Sequence, residues 1–272
     1  MNLWDAHLHT NYSGDSQASC ESMIVAATSK QLNGITITDH LDWDYKESPH
    51  LFDLDIDSYF NAMKSYQSAY ETDLFHILIG VELGLQEHLA TRHHELLITH
   101  PFDYCIGSIH VVHGMDPYYP EYFQGRPLQE SYEEYFQAIL DNLYSFHEID
   151  SLGHLDYIIR YGNLTINEQQ NFPLYQEYSA LIDEILRYLI KKGIALEINT
   201  GSYRCGLIEP NPAIHIIKRF HELGGSLITI GSDAHSPEHV GLQFQQLPTL
   251  LKKCGFQEYY VFQNRTPVPF ML

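Results

Sequence analysis

Basic residues are scarce in this chain: 15 lysines and arginines stand against 35 aspartates and glutamates in 272 residues, a formal net charge of −20. A surface this acidic repels a polyanion over its whole extent, which argues against a nucleic-acid partner. A few cations gathered in one pocket still dominate the field there, so a small phosphorylated substrate stays open. Cysteine is scarce as well. Cys20, Cys105, Cys205 and Cys254 form no CxxC pair, which excludes a disulfide framework and leaves reduced, partly buried thiols as the expectation. Long apolar runs are missing: no window offers the roughly 18 uninterrupted apolar residues of a membrane span. The opening MNLWDAHL has no basic stretch ahead of an apolar one, so no secretory leader is read and the cytoplasm is expected. Internal repeats, low-complexity tracts and long charge runs are also lacking.

What is present is a hydrophobic content of 44%, ordinary for a globular protein, and enough length for one large domain. Short β-branched or apolar runs alternate with amphipathic stretches. Strands are predicted over residues 2–8, 34–38, 76–82, 104–110, 151–155, 194–199, 227–232 and 258–263, with helices over 21–33, 56–72, 87–98, 131–147, 173–192, 211–223 and 240–254. The clearest helix is the fifth, where Leu181, Ile182, Ile185, Leu186, Leu189 and Ile190 recur at helical spacing before Gly193. Such alternation means right-handed βαβ units and a parallel sheet, in a barrel or a doubly wound fold. The longest irregular stretch, HGMDPYYPEYFQGRPLQES at 113–131, is either a lid over a site or a surface excursion.

Histidine is the abundant residue. Seventeen of them is roughly two to three times average usage. In WDAHLHTNYSGDS, His7 and His9 sit two apart on a predicted strand, so their imidazoles leave the same face, with Asp15 following in a polar turn. Such a set is half of a metal site. Other candidates fall at other strand ends: His40 in TDH, Glu82, His110, His154, and Asp233 and His235 in GSDAH. Each alone has an ordinary explanation, such as a hydrogen-bonded core histidine or a helix cap. Together, six strand ends would deliver ligands to one rim, where the chemistry of parallel barrels gathers. Burying them jointly without a cation carries a heavy desolvation cost. His93, His94, His215 and His221 are expected on solvated helix faces, while His113 and His239 stay open.

HLHTNYSGDS, TDH, GVE, IGSIH, GHLD and GSDAH, in this order, resemble the polymerase and histidinol phosphatase (PHP) superfamily of metal-dependent phosphoesterases. EINTGSYRCGLIEPNP and GSDAHSPEHVG look like its histidinol-phosphatase branch. The resemblance implies a distorted (β/α)7 barrel, with 1–272 as a single domain, and three divalent ions (zinc, iron or manganese) at the rim. Carried over by position, His7, His9, Glu82 and Asp233 hold the first ion; Glu82, His110 and His154 the second; Asp15, His40 and His235 the third. Some relatives have histidine where Asp15 stands, and the harder oxygen there alters metal preference.

The implied reaction is hydrolysis of a phosphate monoester, L-histidinol phosphate, in histidine biosynthesis, by water activated between the ions. Glu82, Asp233 and His235 are the catalytic candidates, the last two also as donors to the leaving alkoxide. Arginine's planar fork suits phosphate, and Arg160 and Arg204 follow the fifth and sixth strands. Asp42 and Tyr161, with Trp43 and the 113–131 loop, are candidates for the amine and imidazole of the substrate. Two other readings stand beside it: a phosphodiesterase or nucleotidase on small nucleotides, and a metal-binding protein without turnover. Oligomeric state is not legible.

Overall fold

The structure, a computed structural model, describes residues 3–162 and 164–272; Asn2, where the first strand was predicted to begin, lies outside them. Eight parallel strands form the central sheet: β1 (Trp4–Leu8), β2 (Gly34–Ile37), β3 (His40–Leu41), β4 (His76–Gly84), β5 (Tyr104–Ser108), β6 (Ser151–Leu152), β7 (Ala195–Asn199) and β8 (Ile228–Gly231). Their order is β1-β2-β4-β5-β6-β7-β8, with the two-residue β3 prolonging the β2 position beside β4. The two ends of the sheet meet. His9 N donates to Ala234 O at 2.8 Å and Asp233 N to His7 O at 2.7 Å, so seven strand positions nearly close a barrel, as the resemblance implied.

Helices wrap the strands: α1 (Cys20–Ser29), α2 (Ile56–Tyr70), α3 (Ala90–Thr99), α4 (Leu128–Ser145), α5 (Ile166–Asn171), α6 (Leu174–Lys192), α7 (Ile214–Glu222) and α8 (Leu247–Lys253). Ser19 and Asp55 cap α1 and α2, accepting from Ser22 N and Ser58 N. In α6 the periodic residues Ile182, Ile185, Leu186 and Leu189 are buried, and the helix stops at Gly193, whose φ of 70° is free of strain only for glycine. Each such aliphatic side chain contributes about 1.5–3 kcal/mol on burial. The short α5 was not expected, although Thr165 and Glu168 form a reciprocal capping box at its start.

A register shift in β1 prepares the site. Asp5 pairs with Ile35 and Leu8 with Ile37, so Ala6 and His7 together face the single residue Thr36. This bulge lets Ala6 join the apolar plug of the barrel, with Tyr104, Ile106, Ala195 and Phe262, while the next residue, His7, reaches the polar chamber above it.

The strand at 258–263 does not join the barrel. β9 (Glu258–Gln263) pairs antiparallel with β10 (Thr266–Met271), and the hairpin covers the N-terminal mouth: Trp4 N donates to Tyr259 Oη at 3.1 Å and Arg265 N to Asp103 O at 2.9 Å. Pro267 and Pro269 hide β10 in the sequence, because proline is tolerated only on an edge. The predicted helix at 240–254 is shorter, running from Leu247. All four cysteines are free, with Cys205 exposed and the others buried.

Candidate metal centre

The C-terminal ends of the strands converge as the alternation requires. His7 Nε2 lies 3.1 Å from His9 Nε2 and 3.1 Å from Glu82 Oε2, and Asp233 Oδ1 lies 3.5 Å from His9 Nε2. Glu82 stands at the centre because β4 carries it between β3 and β5: its Oε2 is 3.0 Å from His40 Nδ1, its Oε1 3.0 Å from His154 Nε2 and 3.3 Å from His110 Nε2. At the rim, Asp15 Oδ2 is 3.0 Å from His235 Nε2 and 3.6 Å from His40 Nε2. The nine residues predicted as ligands are therefore in one place. Ligand atoms of His7, His9 and Asp233, of Glu82, His110 and His154, and of His9, His40 and His235 each gather within 4.8 Å of one another.

The donor chemistry fits cations. His40 Nδ1, His154 Nδ1 and Asp42 Oδ1 are buried without a hydrogen-bond partner among the described residues, and His40 Nδ1 misses hydrogen-bonding alignment with Glu82 despite its closeness. Nitrogens of His7 and His9 face each other across 3.1 Å, and at most one of the two can donate there. Divalent ions among the facing nitrogens and carboxylate oxygens would take lone pairs that no proton there satisfies.

The charges within the cluster are closely coupled. Burial alone would raise the Glu82 carboxyl, but His7, His40 and His110 outweigh it and hold it well below the usual carboxylate range. Burial is likewise outweighed at Asp233, by Arg204, His9 and His7. His9 moves the other way: burial, then His235 and His40, push it well below the ordinary imidazole value, which favours the neutral form that ligates. Burial disfavours charge on His40, yet Glu82 and Asp15 lift it to about 9.

A second layer holds the first in place. His7 Nδ1 pairs with Glu197 Oε1 at 2.5 Å, His110 Nδ1 with Asp42 Oδ2 at 2.8 Å, and His9 Nδ1 with Ser13 Oγ at 3.1 Å. Ser13 Oγ donates to Asp39 Oδ1 at 2.8 Å, and Ser108 Oγ to Glu82 Oε1 at 2.6 Å. Glu197 and Asp39 escaped the sequence reading. The signal was there, since EIN at the end of a fully apolar strand puts a carboxylate where only a partner justifies it.

The cleft over the cluster has a volume of about 570 Å³. Arg160, Arg204 and Tyr161 line it as expected, and the 113–131 loop contributes Tyr118 and Tyr119. Arg204 donates to the Asp233 carbonyl, and its Nη2 lies 3.5 Å from Asp233 Oδ2. Tyr161 Oη donates to Tyr157 Oη at 2.7 Å. His239 lines the same cleft. Asp42 also lines it, its Oδ2 paired with His110 Nδ1 and its Oδ1 without a partner among the described residues. Trp43 is not in the cleft: it stacks on His93 at 5.4 Å, with Arg92 over its other face. His93 was expected in solvent and is instead buried between Trp43 and Phe146, where burial lowers it to about 4. His94, His215 and His221 are exposed. A larger cleft of about 800 Å³ lies beyond Tyr45, with His113 in its wall; no three ligand atoms of the described residues converge there. No helix of the described residues is long and apolar enough to cross a membrane.

A family model described as PHP domain matches residues 5–201. The chain is 36% identical over 263 residues to a protein named probable histidinol-phosphatase from Clostridium acetobutylicum, across 97% of this chain and 98% of that one. It is 31% identical to the histidinol-phosphatase of Lactococcus lactis, across 97% of this chain and 96% of the relative. The crystal structure of histidinol phosphate phosphatase from Lactococcus lactis, complexed with zinc, L-histidinol and phosphate, matches with a TM-score of 0.88 at 29% identity, covering 98% of this chain and 99% of that one.

Proposed function

The chain belongs to the PHP domain family, and from that membership and the geometry of its rim we propose that it is a metal-dependent phosphomonoesterase whose substrate is L-histidinol phosphate, serving histidine biosynthesis in the cytoplasm. The observation that carries the reading is the convergence of nine candidate ligand side chains, Glu82 at their centre, under a cleft edged by two arginines. His7, His9, Glu82 and Asp233 would hold one divalent ion, Glu82, His110 and His154 a second, and Asp15, His40 and His235 a third; zinc, iron and manganese all suit this donor set. Ions held there supply positive charge against the phosphoryl oxygens and acidify water.

The chain's own groups do the rest. Arg160 and Arg204 bind the phosphoryl oxygens and orient the ester for in-line displacement. Water oxygen bonds to phosphorus as the bond to the alkoxide breaks. One proton of the water stays on the phosphate and the other passes to the alkoxide, carried by the Asp233 carboxylate, whose Oδ1 faces the imidazoles and whose Oδ2 faces the arginines. Tyr118, Tyr119 and Tyr161 form an aromatic wall for the imidazole of the substrate. The domain is 1–272 as a unit: the family match ends at residue 201, but Asp233 and His235 come from beyond it.

The test is metal analysis of the purified protein, with phosphate release from L-histidinol phosphate, a mononucleotide and a short oligonucleotide, before and after chelation. The reading expects histidinol phosphate to be turned over best and chelation to stop it. Preference for a nucleotide would make the enzyme a nucleotidase, and no release from any ester by metal-loaded protein would leave it a metal-binding protein.

A further inference from the structure

The side chain of Arg160 is only 5% exposed, and a buried guanidinium is ordinarily met by a carboxylate. Here it is met by two amides. Its Nε donates to Asn211 Oδ1 at 2.9 Å and its Nη2 to Asn199 Oδ1 at 3.3 Å, and its one carboxylate contact is a looser ion pair with Asp233, 3.6 Å from Nη1. We propose that Asn199 and Asn211 are positioning residues that hold Arg160 in a neutral cradle and so keep its charge for the phosphoryl group, an inference that rests on the phosphatase reading above.

The orientation of both amides is dictated from behind. Asn211 Nδ2 donates to Asp156 Oδ1 at 2.6 Å, and Asn199 Nδ2 donates to Glu197 Oε2 at 3.1 Å. Arginine offers only donors and a carboxylate only acceptors, so turning either amide over would oppose donor to donor on one side and acceptor to acceptor on the other. The two asparagines are also tied to each other, Asn199 N to Asn211 O at 2.7 Å and Asn211 N to Asn199 O at 2.8 Å. Asp156 is anchored in turn, its Oδ2 accepting from Ala213 N at 2.8 Å.

The cradle therefore separates two jobs that a carboxylate would merge. It fixes the direction of the fork, and it does so with oxygens that carry no net charge, leaving Arg160 attractive to an anion. Through Asn199 it also reaches Glu197, and from there His7, so the phosphate-facing cation and a candidate metal ligand share one rigid hydrogen-bonded frame.

The experiment uses the metal-loaded full chain with the paired exchange Asn211→Asp and Asp156→Asn, which moves the carboxylate from behind the amide onto Nε and keeps a donor facing it. Inorganic phosphate is the probe, as a competitive inhibitor, alongside KM and kcat for L-histidinol phosphate and metal content. The expected result is that phosphate Ki and KM rise together by about tenfold or more, kcat falls by a smaller factor and metal content holds, because the lost charge acts on anion binding. In an Arg160→Ala background the same exchange should change Ki by less than about twofold, since its effect passes through the arginine. An unchanged Ki in the first background, or equal fold-changes in both, overturns the inference. Asn199→Ala, which removes the second oxygen without adding charge and is read through the same cycle, decides the matter should the exchange not fold. If the unsubstituted protein neither binds phosphate nor releases it from the ester, the phosphatase reading falls and takes the cradle with it; if it does both and the cycle shows no coupling, only the cradle falls.

Discussion

His7 Nδ1 and Glu197 Oε1 are 2.5 Å apart and both side chains are buried. The carboxylate accepts the Nδ1 proton, so Nε2, which faces Glu82 and His9, is the nitrogen that would ligate an ion. Its other oxygen accepts from His154 N at 2.8 Å, so one group steadies two candidate ligands. Glu197→Gln keeps the shape and surrenders the charge. It is expected to weaken metal binding about 10- to 100-fold, in line with the loss of outer carboxylates behind ligating histidines. Competition against a fluorescent chelator measures this directly, and an unchanged affinity would show that the pair only packs.

Chelation is expected to stop phosphate release and to lower Tm. Metal that binds only the folded chain stabilises it by about 2.7 kcal/mol at a hundredfold excess over Kd, and its removal also leaves His7 Nε2 and His9 Nε2 facing each other across 3.1 Å with only a proton to share. Thermal unfolding with and without chelator, followed by re-addition of zinc, iron or manganese, reads both effects. The metal that restores Tm and turnover together identifies the working ion.

Much of this was legible in the sequence, and for definite reasons. His7, His40, Glu82, His110, His154 and Asp233 could be placed because alternation fixes where strands end, and parallel barrels collect chemistry at those ends. Glu197 and Asp39 were missed because their role is to touch other ligands, which depends on contacts between strands far apart in the chain. Asn199 and Asn211 lie within the quoted EINTGSYRCGLIEPNP stretch, but their role arises only from facing Arg160. His93 was misread for the opposite reason: helical spacing with polar neighbours suggests solvent, and only the packing of Trp43 and Phe146 on either side buries it. The bulge at Ala6 and His7 and the proline-bearing β10 were likewise set by tertiary pairing rather than by local pattern.

Asp15 is the most exposed of the nine candidate ligands, with 38% of its side chain accessible, and its carboxylate faces His40 and His235. Its loss should therefore open one position and spare the others. Asp15→Ala is expected to reduce bound metal by about one ion per chain, with turnover reduced but the inner ions retained. Elemental analysis of the dialysed variant beside the unsubstituted protein checks it. Loss of all metal would mean that the three ions bind as one unit.

Asp183 supplies a pH test away from the site. It ties α6 to α7: Arg219 donates to its two oxygens at 3.0 and 2.7 Å, Arg187 at 2.8 Å and Tyr175 Oη at 2.8 Å. The Arg219 hydrogen bonds, aided by Tyr175 and opposed by modest burial, hold its carboxyl below the ordinary 3.8. A carboxyl lowered on folding binds its proton more weakly in the native state, so its contribution is complete above the unfolded value and is lost as pH falls through the folded one. Asp183→Asn should cost about 1–3 kcal/mol at neutral pH, the range for hydrogen bonds to charged groups. That difference should shrink as pH drops below about 4, where the unfolded carboxyl titrates. Urea unfolding of both proteins at pH 7 and near pH 3 reads the change. A gap that stays constant across that range would mean that shape rather than charge holds the two helices together.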